Sequence, residues 1–550
     1  MMTIKRLKDW RILLALGVIF SFGLLLMTMI NDFYELPSDG FSKEVFLRHY
    51  EKNDLYEAYD EKCFASGAYA EGFYLLLNDR DKLIFETYSP EGTLHSSRVI
   101  GEGIPSIADI STELEENQLH YIYWADQGLY AGSIDTEAGV SLGQELVDSG
   151  VDSVVLHGST VAYRKSSAYF YYSENAVPLF DDDTILQFDY TVYQDTLLIT
   201  TVSRDGGSFY STYYRMNLSD GGISKNQVAP FITTNATKDA GNYLIVADDT
   251  VRSMSIFRDT RTSSTYYKEL VYDWNRPESY TLNKFEMQDF PNFRYKAFQG
   301  DKVVMMMEQF TFVAKDELAS ADSTYRNLVE VTDESGTRSY RQLTKMKKSH
   351  PIYEFFKYHD EDYLVFNTIS KEGGSSVGSI YFASSDADVV KTSNVLTKDA
   401  FMQLFFGALT VLPAAFAVGF IPSMGFLFPV ILMIMPLSMY KITWTEHHPE
   451  KLLGASMIVY LVSVLFGFYE NATMILAKTQ VMAGSLPWHL KSVSSMYMML
   501  ILTLSVSFLA QRWYREKKPQ ASFMIHFGIM FICQSIFYIM LFHAYPLLAN

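Results

Sequence analysis

Two cysteines occur in 550 residues, Cys63 and Cys533. Cys63 lies in an acidic stretch and Cys533 in an apolar one, so the two are not expected to pair and no disulfide framework is available. Secreted domains often lean on disulfides, so any outer domain here must hold together by its core. That fits a bacterial envelope. Charge is missing from whole stretches. Ile12 to Ile30 has no ionisable group, and residues 401–550 contain four acids against eight bases. Three common nucleotide- and metal-site signatures are missing as well. There is no Walker A sequence, no G-x-G-x-x-G opening a helix and no H-E-x-x-H. No cofactor is therefore expected.

What remains is concentrated in the middle. Residues 31–400 carry 58 acids and 33 bases, a net charge of -25 within a total of -18. Such a surface keeps a domain soluble and repels nucleic acid and anionic surfaces, so nucleic acid is excluded as a partner. The ends read as membrane. The 19 uncharged residues Ile12–Ile30 are long enough to cross a hydrocarbon core of about 30 Å. Lys5, Arg6, Lys8 and Arg11 precede them, which places the N-terminus in the cytoplasm and residues 31–400 outside it. Leu24 to Ile30 offers no A-x-A-like cleavage site, which favours an uncleaved anchor over a signal peptide.

Further apolar runs fall at 401–421, 426–440, 452–469, 493–510 and 523–545. Pro422 to Gly425 is a short joint and is expected to make a tight hairpin of the first two. Six spans put Arg512, Arg515, Lys517 and Lys518 outside, against the positive-inside tendency. A seventh, re-entrant or crossing, at Ala472–Pro487 would reverse this. The chain is thus expected to be multi-pass, with the bilayer as one partner and an envelope or membrane protein as another.

The expected domains are a tail and anchor over 1–30, a helical linker over 31–64, an outer domain over 65–395 and a helical bundle over 396–550. Residues 42–60 look helical, with Ser42 as N-cap and Val45, Phe46 and Tyr50 on one side. After that, short strands rich in aromatic and β-branched residues alternate with Gly, Asp, Asn and Ser turns. An apolar strand, a polar turn and a second apolar strand recur. The second strands are read at 82–88, 119–124, 160–164, 196–202, 242–247, 302–307 and 362–367, a mean spacing of about 47 residues. That spacing suits the blades of a β-propeller with about seven blades. A two-sheet sandwich would give similar runs, but roughly 370 residues is long for one. The expected fold class is an all-β propeller outside the cytoplasm joined to an α-helical transmembrane bundle.

Candidate sites are few. Gly374-Ser375-Ser376-Val377-Gly378 matches G-x-S-x-G, but a strand follows where a nucleophile elbow needs a helix, so a hairpin turn is the expectation. Glu446-His447-His448-Pro449-Glu450 gathers possible metal ligands without the spacing of a zinc site, and reads more simply as an interfacial loop. Asp181-Asp182-Asp183 lacks the glycine and terminal glutamate of a calcium loop. Runs such as Tyr169-Phe170-Tyr171-Tyr172 fit half-buried strand faces, with a binding face as the sharper alternative. Within the membrane segments Glu470, Lys478, His526 and Gln534 form the candidate polar site, because charge at membrane depth is costly and often functional.

These features favour a membrane-tethered binding, sensing or scaffolding protein without a catalytic site. A transport subunit is the second reading. An N-terminal helix, a large outer domain and later spans is similar in outline to permease subunits of ABC-2 exporters. That resemblance implies a cytoplasmic element touching an ATPase, which the joint at Pro422–Gly425 is too short to supply. An extracytoplasmic hydrolase is the third.

Overall fold

A computed structural model describes residues 10–34, 36–51, 61–344, 352–440, 447–480, 490–519 and 522–543, apart from residues 39, 373, 374 and 491 and short breaks between 206 and 336. The chain divides into two compact units. One is made chiefly of 1–35 and 395–550, the other of 36–310 and 316–394.

Among the described residues the second unit forms seven antiparallel sheets, each with a path of four strands, and the fourth carries a short fifth strand, Phe231–Ile232. The inner strand of each starts at Phe64, Asp109, Ser153, Ile185, Ala236, Phe293 or Tyr353, and we number the blades 1 to 7 in that order. Strands follow one another outward in chain order in blades 1 to 6, with a small inserted strand pair in blade 6, whereas the outermost strand of blade 7 comes from the N-terminal side of the domain. Each inner strand lies beside the inner strand of the next blade, and blade 7 lies beside blade 1, so the ring closes. This is the architecture of a seven-bladed β-propeller, which leaves few exposed sheet edges.

The sequence makes this ring by burying both faces of its middle strands. In blade 1, Leu75 and Leu77 pack with blade 7 residues such as Tyr363 and Phe382, while Tyr74 and Leu76 pack with Ile110 and Tyr121 of blade 2. Alternate residues therefore serve two different cores, which is why Gly72 to Leu77 reads as an unbroken apolar run. The tyrosine runs belong to the same seams. Tyr169 and Tyr171 are buried, Tyr214 stacks on Phe180 at 3.9 Å, and Tyr213 stacks on Tyr272 at 5.1 Å.

Several sequence expectations need correction. The described part of residues 42–60 is not helical. Val45–Glu51 is a strand, paired antiparallel with Ser375–Ser384 as the outermost strand of blade 7, and 52–60 lie outside the described residues. Ser42 does not cap a helix. Its hydroxyl accepts from Ser384 N (2.9 Å), and its own N–H donates to Ser384 O (2.8 Å). Val45, Phe46 and Tyr50 satisfy helical spacing, but a partner strand 330 residues away decides the outcome, since long-range pairing overrides weak local propensity. Five of the seven expected second strands are second strands. Lys82–Tyr88 is the third strand of blade 1, and 242–247 belongs to the inner strand of blade 5, Ala236–Ala247. The reason is that blade 1 buries its third strand as completely as its second. Turn chemistry also differs in detail. Gln194-Asp195 makes the expected hairpin, with φ of 48° and 58°. The turn before Glu361–Glu372 is His359-Asp360, with φ of 49° and 67°, and Glu361 and Asp362 already lie in the strand.

In the first unit the helices are α1 (Trp10–Tyr34), α3 (Lys398–Gly425), α4 (Phe428–Tyr440), α5 (Pro449–Gln480), α6 (Val493–Lys517) and α7 (Phe523–Tyr538), the last continued by one π-turn, Ile539–His543. The short α2 (Ala387–Ser393) closes the propeller unit, capped by the Asp386 carboxylate. Among the described residues three helices are long and apolar enough to cross a membrane, or up to five if each bent pair counts as one span, by length and composition. The hairpin expected at Pro422–Gly425 is a bend. Those residues continue α3, and Gly419–Gly425 meets Phe428–Leu437 at 41°. The Leu427 N–H donates to Met424 O (3.0 Å), so a single tight turn carries the chain onward into α4. Neither Cys63 nor Cys533 forms a disulfide.

Candidate functional site

The inner strands of a propeller line its axis, so polar side chains there are held away from bulk water and must be matched. Three charged residues meet at the start of the inner strands of blades 7, 1 and 2. Lys62 stands two residues before blade 1, and its N–H donates to Ala108 O (2.8 Å), which fixes it beside Asp109, the first residue of blade 2. Lys62 Nζ lies 2.5 Å from Glu354 Oε1 on the inner strand of blade 7, and both side chains are largely buried. Burial pushes the Asp109 carboxyl up to about 6. The Lys62 ammonium opposes that rise, as does the Ile110 N–H, while Glu354 reinforces it and His157 opposes it. Beside them the Tyr74 hydroxyl shares a hydrogen bond with Thr112 Oγ1 (2.9 Å), and burial raises its pKa.

A second polar group joins blades 3, 4 and 5. His157 Nε2 lies 3.1 Å from Asp189 Oδ1. Asp189 is buried and also accepts from Tyr190 N (2.8 Å) and, through Oδ2, from Leu244 N in blade 5 (2.8 Å). The carboxylate thus orients the imidazole and stitches three inner strands. Its fixed geometry suits a binding surface, with His157 half exposed.

Asp109 gives a pH dependence whose sign is fixed. Its folded-state pKa lies above the value near 3.9 of an unfolded chain. The folded state therefore binds the proton more tightly, and stability falls as pH rises from about 4 to about 6. Asp109→Asn should flatten that part of the profile, as read from thermal midpoints across the range. An unchanged slope in the variant would show that Asp109 is not the group responsible.

The residues singled out by sequence fare unevenly. Glu446 lies outside the described residues. His447 is exposed and His448 half-buried at the start of α5, and Glu450 pairs with Arg515. Among the described residues no three His, Cys, Asp or Glu side chains are grouped to hold a metal. Ser375 and Ser376 open the third strand of blade 7, opposite Glu372 and Lys371 in a hairpin, so the chain continues from them as a strand and not as a helix. Asp182 accepts from the N–H and hydroxyl of Thr184 (3.0 and 2.5 Å), a local turn bond.

Of the four polar candidates in the helical unit, the described side chains split: Glu470 stays apart from His526 and Gln534. Glu470 is exposed on α5, and the Lys478 side chain lies outside the described residues. His526 and Gln534 are buried on α7, facing α6. Gln534 Nε2 donates to Thr503 Oγ1 (3.2 Å), and its Oε1 accepts from Ser507 Oγ (3.3 Å). His526 meets the Tyr514 ring edge-on at 5.6 Å. Thr503, Ser507 and Gln511 are buried at helical spacing on α6, a stripe visible in the sequence once α7 is known to face it.

No protein-family model matches the chain, and no curated protein matches its sequence. Among solved structures it is similar to the WD40 domain of Toxoplasma gondii coronin, at 10% identity over 62% of this chain and 84% of that one (TM-score 0.37). It is similar to the β-propeller domain of the Trilobed protease from Pyrococcus furiosus, at 10% identity over 62% and 94% (TM-score 0.37). A Trypanosoma rangeli sialidase in complex with sialic acid is similar at 8% identity over 65% and 61% (TM-score 0.34). These neighbours are propellers from enzymes and non-enzymes alike, and such distant likenesses carry no argument about activity. The propeller here rests on this chain's own strand order.

Proposed function

We propose that the chain is a membrane-tethered, extracytoplasmic binding protein, a sensor or scaffold whose propeller holds the ligand-binding surface and has no catalytic site of its own. The observation that carries this reading is the Lys62–Glu354–Asp109 cluster where the inner strands of three blades start. Desolvated charge in a core is destabilising unless it is paired or used. Tethering is supported by the exposed apolar faces of the helices, such as Ile458 at 64% and Phe466 at 79%. Side chains so placed are suited to lipid and poorly suited to water. The preferred partner is an envelope or membrane protein. The acidic surface argues against nucleic acid.

The buried Gln534–Thr503–Ser507 network favours a second reading, a transport subunit, because a polar path through a membrane needs such groups. The two separate by mutation. In vivo cross-linking from native membranes should lose its envelope partners in a Lys62→Met, Asp109→Asn double variant. Glu470→Gln should be silent, since that side chain is exposed on α5. Loss of function from Glu470→Gln at normal protein level, with the double variant silent, would favour transport.

A further inference from the structure

The helical unit carries an asymmetry in charge that the binding reading does not use. Three helix ends meet at one end of α5, α6 and α7. Arg515 near the end of α6 pairs with Glu450 at the start of α5. The Tyr514 ring, in the last turn of α6, meets His526 in the first turn of α7 at 5.6 Å, so α7 also starts near this end, and Tyr460 of α5 packs edge-on against Phe527 and Phe531 of α7 at 5.7 and 6.0 Å. The Tyr497 hydroxyl donates to Leu465 O (2.8 Å), which confirms that α6 runs the opposite way.

Lys451, Arg512, Arg515, Lys517 and Lys518 all fall at this end, against Glu450 and Glu516. Even with Arg515–Glu450 and Arg512–Glu516 (3.7 Å) formed, these described residues carry a net charge of +3. Lys451, Arg512, Lys517 and Lys518 are exposed. At the C-terminus of α6 such bases offset the helix dipole, which is the plain explanation for Lys517. The same explanation fails for the other two ends. α5 and α7 present N-termini, where the dipole is already positive and a base such as Lys451 is unfavourable. Ser522, at the N-cap of α7, makes no side-chain capping bond; its carbonyl accepts from Ile525 N (3.1 Å), and the N–H groups before Ile525 are directed to the same end. Trp513 and Tyr514 lie half-buried between Arg512 and Arg515, one turn inside Lys517 and Lys518, in the position that interfacial aromatic residues take at a headgroup layer.

Resting on the membrane reading above, we infer that this end of the bundle binds anionic phospholipid headgroups. The bases and two helix N-termini supply charge for the phosphodiester, and Trp513 and Tyr514 sit at the boundary with the acyl chains. Selectivity for an anionic over a zwitterionic lipid then comes from the excess positive charge, and it weakens as salt screens it.

The test uses the full chain reconstituted in vesicles of mixed phosphatidylglycerol and phosphatidylcholine. The ratio of the two lipids retained on the detergent-extracted protein is read by mass spectrometry. The wild type should retain phosphatidylglycerol in excess of its share. Arg512→Gln, Lys517→Gln and Lys518→Gln should each lower the ratio, by roughly fivefold per charge, and the combined variant should abolish the preference. Arg512→Lys, Lys517→Arg and Lys518→Arg together should keep it, which separates charge from folding. An unchanged ratio in the combined Gln variant would overturn the inference. A wild-type protein that alkaline carbonate strips from vesicles would defeat the membrane reading itself, whereas one that stays embedded without lipid preference defeats the headgroup site alone.

Discussion

Replacing Tyr50 by alanine is expected to cost the propeller about 3–5 kcal/mol, the range for deleting a large buried aromatic side chain. Tyr50 is 2% exposed, and it lies in the seam where the incoming strand Val45–Glu51 closes blade 7. Its ring rests on Gly378 so closely that a Cβ built there would fall 2.1 Å from Cζ. Its hydroxyl accepts from Asn367 Nδ2 (2.8 Å), while Asn367 Oδ1 accepts from Ile352 N (3.0 Å). Truncation therefore opens a cavity and strands a buried amide. Tyr50→Phe should cost less, about 1–3 kcal/mol, because it strands the amide without opening the cavity. Urea midpoints at constant m-value measure both. A loss under 1 kcal/mol for Tyr50→Ala would mean that the strand does not close the ring.

Arg48→Ala should have an effect nearly as large, about 3 kcal/mol. On the same strand, Arg48 reaches across to blade 1 and holds Asp79 at 2.6 Å and Glu86 at 2.7 Å. Glu86 is buried and already accepts from the Tyr88 and Ser97 hydroxyls (2.6 and 2.8 Å). Asp79 also accepts from Glu51 N (2.9 Å). Without the guanidinium the buried Glu86 carboxylate and the partly buried Asp79 carboxylate face each other unpaired. Most of the cost comes from that uncompensated charge, so Glu86→Gln in the Arg48→Ala background should recover a good part of it. Additive losses in the double variant, measured by the same unfolding experiment, would contradict this account.

The strand-and-turn rhythm of the propeller is legible in the sequence because each blade must alternate apolar strand and polar turn. The placement of strands within a blade is less so, since a middle strand buried on both faces looks alike whether second or third. Lys82–Tyr88 shows this. The closing strand is illegible for a different reason. Nothing near Val45 tells that Ser375–Ser384 waits for it, and Val45, Phe46 and Tyr50 fit a helix as well as a strand. The Lys62–Glu354–Asp109 cluster is hidden likewise. Its members are 47 and 245 residues apart in sequence and look like ordinary turn and strand-end charges. His526 and Gln534 stand out sooner, because polar residues are rare in an apolar helix, but their partners Thr503 and Ser507 emerge from packing alone.

The account rests on a propeller that residues 45–51 complete. The most direct test compares two soluble fragments, 36–394 and 65–394, by near-ultraviolet circular dichroism and heat unfolding. The longer fragment should melt in one cooperative transition, with the aromatic signal of a packed core. The shorter should melt at clearly lower temperature or lack the transition, and a peptide covering residues 41–52 added in excess should restore part of the loss. Equal melting of the two fragments would contradict the closed ring.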